Sequence, residues 1–272
     1  MPFRTTSFRY PYERLILWTT ILAVLLVIAF TSTATVCMGG VFVLAILLLS
    51  YYGTRSQHEM LLQHAMKASA QTTPELINLI YECKKRLQID AVNIFIAPNR
   101  TLNAYTFGMT SPKAIVLHAS LFHVMDREEI QFILGHELGH VALGHTWLNS
   151  LIGGMAGIPA PYAASFLLAF IFRWWNRACE FSADRAGLLA CNQPEKAMNA
   201  LVKLGAGGRI STQDLESVYQ RLQTDGEDPL SALAELTATH PMLIKRIEQI
   251  RKYASSNEYR FLQAKMNTNL PE

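Results

Sequence analysis

The chain has 272 residues, 50% of them hydrophobic and 17% charged, with a mean hydropathy of +0.16 that is high for a soluble enzyme of this size. Its 24 Lys and Arg against 21 Asp and Glu leave a formal net charge of +3 with no basic block. That balance argues against nucleic acid as a partner and is compatible with a membrane surface.

The apolar residues are concentrated near the N-terminus. Leu15 to Phe30 and Val36 to Ser50 are two uncharged runs joined by Thr31-Ser-Thr-Ala-Thr35. With their flanking Thr, Ser, Gly and Tyr residues, each approaches the ~20 residues that span ~30 Å of hydrocarbon. The expectation is a membrane anchor over 1–54, with transmembrane helices at about 14–31 and 35–52. A cleaved signal peptide is the competing reading of the first run, but no convincing small-x-small site precedes the second. Glu13 and Arg14 border the first run and Arg55 follows the second. Arg4, Arg9 and Arg14 precede the hairpin and its turn has no Lys or Arg, so the positive-inside rule puts both ends in the cytoplasm. The chain is therefore expected in the cell (inner) membrane with a cytoplasmic domain over 55–260.

That domain reads as mostly helical, with a small three-stranded sheet. Thr73 caps a helix that has Pro74 in its first turn and runs to about Leu87. Ala91–Ala97 and Lys113–His118 read as strands, with Tyr105 and Phe107 on a third between them. Asp126 and Glu129 have capping-box spacing at the start of a helix whose apolar face is Ile130, Ile133, Leu134, Leu138, Val141 and Leu143.

Inside this helix lies His136-Glu137-Leu138-Gly139-His140. Four helical residues turn about 400°, so the two imidazoles share one face and can reach one metal ion at about 2.0–2.1 Å. Glu137 sits one step round, beside the metal, where a carboxylate can take a proton from bound water. Gly139 and Gly144 would each cost about 1 kcal/mol relative to Ala in an exposed helix. Their small size would let a neighbouring element approach the ligands. The plain alternative is a buried amphipathic helix with two satisfied histidines.

A catalytic zinc needs a third protein ligand and an open position. His145 is one candidate. However, the metzincin spacing would require Gly at Leu143 and His at Thr146, so His145 reads as a residue capping or flanking the helix end. Glu180 is the other candidate, in Cys179-Glu180-Phe-Ser-Ala-Asp184. Glu180 and Asp184 are four apart on one helix face, so the first can ligate while the second accepts the outward N–H of a ligand histidine. Cys179 points about 100° away on the same helix. Solvated salt bridges of Glu180 and Asp184 with Arg177 and Arg185 are the plain alternative. His58, His64, His118 and His123 have no ligand spacing to the motif.

The stretch Leu148–Phe172 has no charged residue, but Gly153, Gly154, Gly157, Pro159 and Pro161 divide it into halves too short to cross a bilayer. A single crossing would put Glu180 and His136 on opposite sides. The segment is expected to be an apolar hairpin that dips into the membrane or packs by the cleft, with Trp147, Arg173, Trp174 and Trp175 at the interface. Ser211–Asp214 and Asp228-Pro229 open later helices, and an amphipathic helix runs from Met242 to about Tyr253. Beyond Asn257 the chain is polar and expected to be loosely held, with 261–272 as a tail. Cys37, Cys83, Cys179 and Cys191 form no C-x-x-C pair and are expected to be reduced.

Four blocks in order carry a family resemblance. They are Asn103–Gly108, Glu128–His140, Glu180–Asp184, and Thr239-His240-Pro241 leading to Arg246-Ile247. Over about residues 70–260 the chain resembles the HtpX-like membrane metalloproteases, gluzincins related to the type 1 CAAX prenyl protease. The resemblance implies a membrane-anchored α+β protein with a zincin-like catalytic domain, and one zinc ion on His136, His140 and Glu180. It implies Glu137 as general base, Asp184 behind the ligands, and His240 near the cleft holding substrate or oxyanion. His240 could instead be a helix cap before Pro241. Asn103, Ala104 and Tyr105 would lie on an edge strand that takes an extended polypeptide. The function implied is endopeptidase action on misfolded or damaged membrane proteins, with the bilayer as a further partner. A prenyl-peptide protease and a non-enzymatic membrane scaffold are the alternatives, and intact Glu137 weighs against the scaffold.

Overall fold

A computed structural model describes residues 7–34, 38–89, 92–108, 112–146, 172–207 and 241–268. The two N-terminal apolar runs form helices α1 (Glu13–Ala34) and α2 (Met38–Gln63). Leu15, Trp18, Leu22 and Leu25 on α1 and Val41, Leu44 and Leu48 on α2 are exposed. Among the described residues, no helix is long and apolar enough to cross a membrane. The end of α2 packs against the sheet, where the His58 ring stacks on Phe107 with centroids 3.8 Å apart.

The sheet has four strands rather than three: β1 (Met66–Lys67), β2 (Val92–Ala97), β3 (Ala104–Phe107) and β4 (Lys113–His118), in the order β1-β2-β4-β3. β1 is only two exposed residues long, too short to carry an alternation signal in sequence. It pairs antiparallel with β2, β2 runs parallel to β4, and β3 pairs antiparallel with β4 through Thr106↔Ile115 and Tyr105↔Val116. Side-chain alternation divides the sheet faces. Ile94, Ile115 and Leu117 enter the main core, whereas Tyr105, Phe107, Ala114 and Val116 form a smaller cluster on the other face with Leu62 of α2. Thr106 therefore points toward the helices.

α3 (Pro74–Leu87) starts at Thr73 as expected, but the Thr73 hydroxyl donates to the Ser69 carbonyl and does not cap the helix. After the short α4 (Leu121–Val124), the capping box forms as read. The Asp126 carboxylate accepts from the Glu129 N–H and the Glu129 carboxylate accepts from the Asp126 N–H, both at 3.0 Å. It launches α5 (Arg127–Leu143), which ends on Gly144 at φ 78, a left-handed position that favours glycine.

The helix packed most closely on α5 is α6 (Arg173–Cys191). The approach is close because the contact residues are small. A Cβ added at Gly139 would lie 2.7 Å from the Ala186 Cβ and 3.2 Å from the Ala183 Cα, and one at Gly135 would collide with Ala190. Gly139 thus works by permitting approach, and Gly144 by backbone conformation; nothing lies within 4 Å of a Cβ added there. α7 (Pro194–Gly205), α8 (Pro241–Ala254) and α9 (Asn257–Thr268) are the remaining helices among the described residues.

α9 corrects the expectation of a loosely held end. Tyr259, Leu262 and Met266 are buried in the core, and the Tyr259 hydroxyl donates to Asn192 at 2.9 Å. Apolar residues at that spacing make a helical stripe that the polar background obscured. Cys83, Cys179 and Cys191 are free and buried. Trp147, most of 148–172, the segments at Ser211–Asp214 and Asp228-Pro229, and His240 lie outside the described residues.

Candidate metal centre

The capped helix α5 delivers His136 and His140 one turn apart, and their Nε2 atoms converge to 3.2 Å. Glu180 enters from α6. Its Oε2 lies 3.6 Å from His136 Nε2 and its Oε1 lies 3.5 Å from His140 Nε2. Ligand atoms at about 2.0–2.1 Å from a tetrahedral centre are about 3.3–3.4 Å apart, so the three groups fit one zinc-sized ion. His136 and His140 are 7% and 8% exposed, while the Glu180 side chain is 32% exposed, so the cluster opens on the Glu180 side. The small glycine contacts between α5 and α6 allow this convergence. A wider helix spacing would separate the carboxylate from the imidazoles.

Glu137 is buried beside this cluster, and the Thr106 hydroxyl donates to its Oε2 at 2.5 Å. β3 therefore touches the metal helix directly, and one oxygen of Glu137 is fixed by the edge strand.

Behind His136 stands Asp184, whose Oδ1 accepts from His136 Nδ1 at 3.0 Å. That bond places the proton on Nδ1 and leaves the Nε2 lone pair facing the cluster. Arg246 of α8 donates to both Asp184 oxygens, through Nε at 2.8 Å and Nη2 at 2.7 Å, and its Nη1 lies 3.0 Å from Glu180 Oε2.

The charges agree with this geometry. Burial alone would raise the Glu180 and Asp184 carboxyls, but the Arg246 charge and the histidine bonds hold both below the usual carboxylate range, Glu180 well below it. Burial likewise opposes the Arg246 charge, and the two carboxylates outweigh it to push the guanidinium further up. For His140, burial pulls the imidazole down, but the Glu180 bond and charge win and its affinity for a proton rises. A cation is thus welcome between the imidazoles and Glu180, which is the position a metal ion would take.

His145 flanks the end of α5, as read, but it is 1% exposed, with its Nδ1 2.9 Å from His140 Nδ1 and its Nε2 3.1 Å from Glu13 Oε1. Burial, only partly offset by the Glu13 bond, brings its pKa down to about 4, so this imidazole is neutral near pH 7. Cys179 lies beside His145 and Glu13 as a second potential ligand group, with ligating atoms within 4.8 Å of one another. Burial raises its thiol well above the ordinary value, so it stays protonated there.

His136, Glu137, His140, Glu180 and Asp184 are thus brought together. Ala104 and Tyr105 lie on β3 at the sheet edge, and Asn103 just before it, accepting from the His118 N–H at 3.0 Å. The Tyr105 ring faces the small cluster, away from the imidazoles. Thr106 and Arg246 were missed as site residues, although both fall within quoted motif blocks. Glu13 was read only as a charge bordering an apolar run, and nothing local in the sequence links it to position 145.

Comparison with known proteins identifies a family. The model of Peptidase family M48 matches residues 70–254, a stretch that contains every one of these groups except Glu13. Plastoglobule-localized metallopeptidase 48, a chloroplastic protein of Arabidopsis thaliana, is 30% identical over 235 residues, covering 79% of this chain and 68% of that protein. Protease HtpX of Psychrobacter sp. is 25% identical over 244 residues, covering 77% of this chain and 79% of that protein. A Protease HtpX homolog of Desulfatibacillum aliphaticivorans is 27% identical over 212 residues, or 65% and 67% of the two chains. No solved structure matches.

Proposed function

The chain belongs to peptidase family M48 as an HtpX-like metalloprotease, and from that premise we propose a membrane-anchored zinc endopeptidase whose ligands are His136, His140 and Glu180. The observation that carries the ligand set is the convergence of two Nε2 atoms and a carboxylate at tetrahedral spacing, with a fourth direction open. A bound zinc supplies Lewis acidity, polarising the scissile carbonyl and lowering the pKa of a water.

The protein's own groups do the rest. Glu137 accepts the water proton and returns it to the leaving amine. The Thr106 hydroxyl holds one Glu137 oxygen so that the other faces the reacting water. Asp184 keeps His136 in its Nδ1–H tautomer, and Arg246 holds Asp184 and Glu180 in place. The polypeptide lies extended along β3, where main-chain hydrogen bonds to Ala104 and its neighbours give affinity with little sequence demand. His240, immediately before α8, serves as a donor to substrate or oxyanion.

Anchoring through 14–31 and 35–52 is supported by the rows of exposed Leu, Val and Trp side chains on α1 and α2, which water would leave uncovered. The arginines at 4, 9 and 14 favour a cytoplasmic active site. A zinc site at the membrane surface suits damaged or misfolded membrane proteins as substrates.

The test is metal content and cleavage together. Purified full-length chain should hold one zinc and cleave an unfolded protein in a chelator-sensitive, zinc-restorable way. Full cleavage after zinc removal, or no zinc at all in folded protein, would overturn the reading.

A further inference from the structure

Both proposed histidine ligands need a partner behind them, and the two partners differ. His136 has a carboxylate, Asp184, on the neighbouring helix. His140 has a second histidine, and behind that a carboxylate from a distant part of the chain. His145 Nδ1 lies 2.9 Å from His140 Nδ1, and Glu13, at the first residue of α1, lies 3.1 Å from His145 Nε2. All three side chains are buried.

The protons in this row can be assigned by logic alone. If His140 gives its Nε2 lone pair to the metal, its proton is on Nδ1 and donates to His145 Nδ1. His145 must then be protonated on Nε2, which donates to Glu13. We propose that Glu13 and His145 are positioning residues of the metal centre, a carboxylate–imidazole relay that fixes the tautomer and ring orientation of His140. The proposal rests on the ligand assignment made above.

The Glu13 carboxylate is itself fixed. Arg9 pairs with one oxygen and the Ser182 hydroxyl donates to the other. Arg9 also donates to the Leu143 carbonyl at 3.1 Å, and the Tyr10 N–H donates to Ser182 at 2.8 Å, with Phe8 fully buried. Residues 8–13 thus strap the start of α1 across the end of α5 and the middle of α6. The base of the proposed anchor is wired to a metal ligand.

The same cluster could be read as a second metal site, because Cys179 joins Glu13 and His145. The tautomers exclude both ions at once with neutral imidazoles. A metal on His145 Nε2 would move the His145 proton to Nδ1, which would donate to His140 Nδ1. The His140 proton would then lie on Nε2, where the catalytic metal must bind. The relay satisfies every group in the row and the second ion does not.

The experiment measures zinc affinity of the full chain by competition with a chromogenic chelator. Glu13→Leu and His145→Phe should weaken zinc by about 10–100-fold, the usual loss when a ligand histidine's partner is removed. Glu13→Gln keeps an acceptor for His145 and should lose less. If Glu13→Leu fails to fold, His145→Phe decides: parental affinity there would overturn the relay. Nitrogen-15 histidine spectra of the unmutated chain give a second readout, with His140 expected as the Nδ1–H tautomer and His145 as Nε2–H. The reverse pair of tautomers, or two equivalents of zinc with the second lost in Cys179→Ala, would overturn the proposal. Glu180→Ala and His136→Ala separate the two levels. If both keep full zinc, the ligand assignment itself has failed; if both lose it while the Glu13 and His145 variants do not, only the relay has.

Discussion

Glu137→Gln is expected to keep its zinc and its fold and to lose about 10²–10⁴-fold or more in turnover, the range for removing a general base. The substitution is nearly isosteric, and the amide oxygen can still accept from the Thr106 hydroxyl 2.5 Å away, so the contact between β3 and α5 survives. What is lost is the basic oxygen on the other side. Zinc content, unfolding temperature and kcat should therefore separate cleanly, with only the last collapsing. A variant that lost its zinc along with its activity would mean that Glu137 is a ligand. A variant of normal turnover would mean that another group takes the proton.

Arg246→Met should act on the opposite quantity, stability. Among the described residues, Arg246 is the one cation shared by Asp184, which is 1% exposed, and Glu180, and removing it leaves both carboxylates without that partner. Breaking such a buried arrangement from one side costs about 3–5 kcal/mol. The zinc-free protein should lose about that much, and zinc should restore part of it by supplying positive charge beside Glu180. The pH dependence follows from the depressed carboxyls. Their contribution is fully present above the ordinary values of about 3.9 and 4.3 and is lost as pH falls through the lower folded values. The deficit of Arg246→Met should thus be largest near neutral pH and shrink in acid. Denaturant unfolding at pH 7 with and without zinc, and of the zinc-free protein at about pH 3, measures both signs. An equal deficit at both pH values would show that Arg246 acts by packing alone.

The parts of this site that lie on one helix were legible in the sequence because helical geometry fixes them. His136 and His140 are neighbours at any i, i+4 spacing, and the same spacing aligns Glu180 with Asp184. The capping box at Asp126 and Glu129 is also local, and it formed as read. What could not be read are contacts between elements. Thr106 reaches Glu137 across 31 residues, Arg246 reaches Asp184 across 62, and Glu13 reaches His145 across 132. Periodicity carries no information about such pairs. Glu13 is the sharpest case, since an acidic residue at the head of an apolar helix is ordinarily solvated at its N-terminal end. Here it is fully buried, and the strap of residues 8–13 explains why.

The sheet and the C-terminal end failed for a different reason. β1 has two residues and exists because Met66 and Lys67 find the free edge of β2, a tertiary opportunity with no local signature. α9 was masked by its polar composition, although Tyr259, Leu262 and Met266 alone suffice to dock it. The glycines were partly readable. Gly139 was expected to admit a neighbouring element, and Ala183 and Ala186 of α6 are that element.

X-ray absorption at the zinc edge of the full-length protein tests the central claim most directly, because it reports the donor atoms themselves. A site made by His136, His140 and Glu180 should show only nitrogen and oxygen neighbours at about 2.0–2.2 Å, two of them imidazoles. Cys179 is adjacent to Glu180 in sequence but lies among Glu13 and His145, on the far side of His140. A sulfur neighbour at about 2.3 Å would place the zinc in that second cluster and contradict the shared-ligand account.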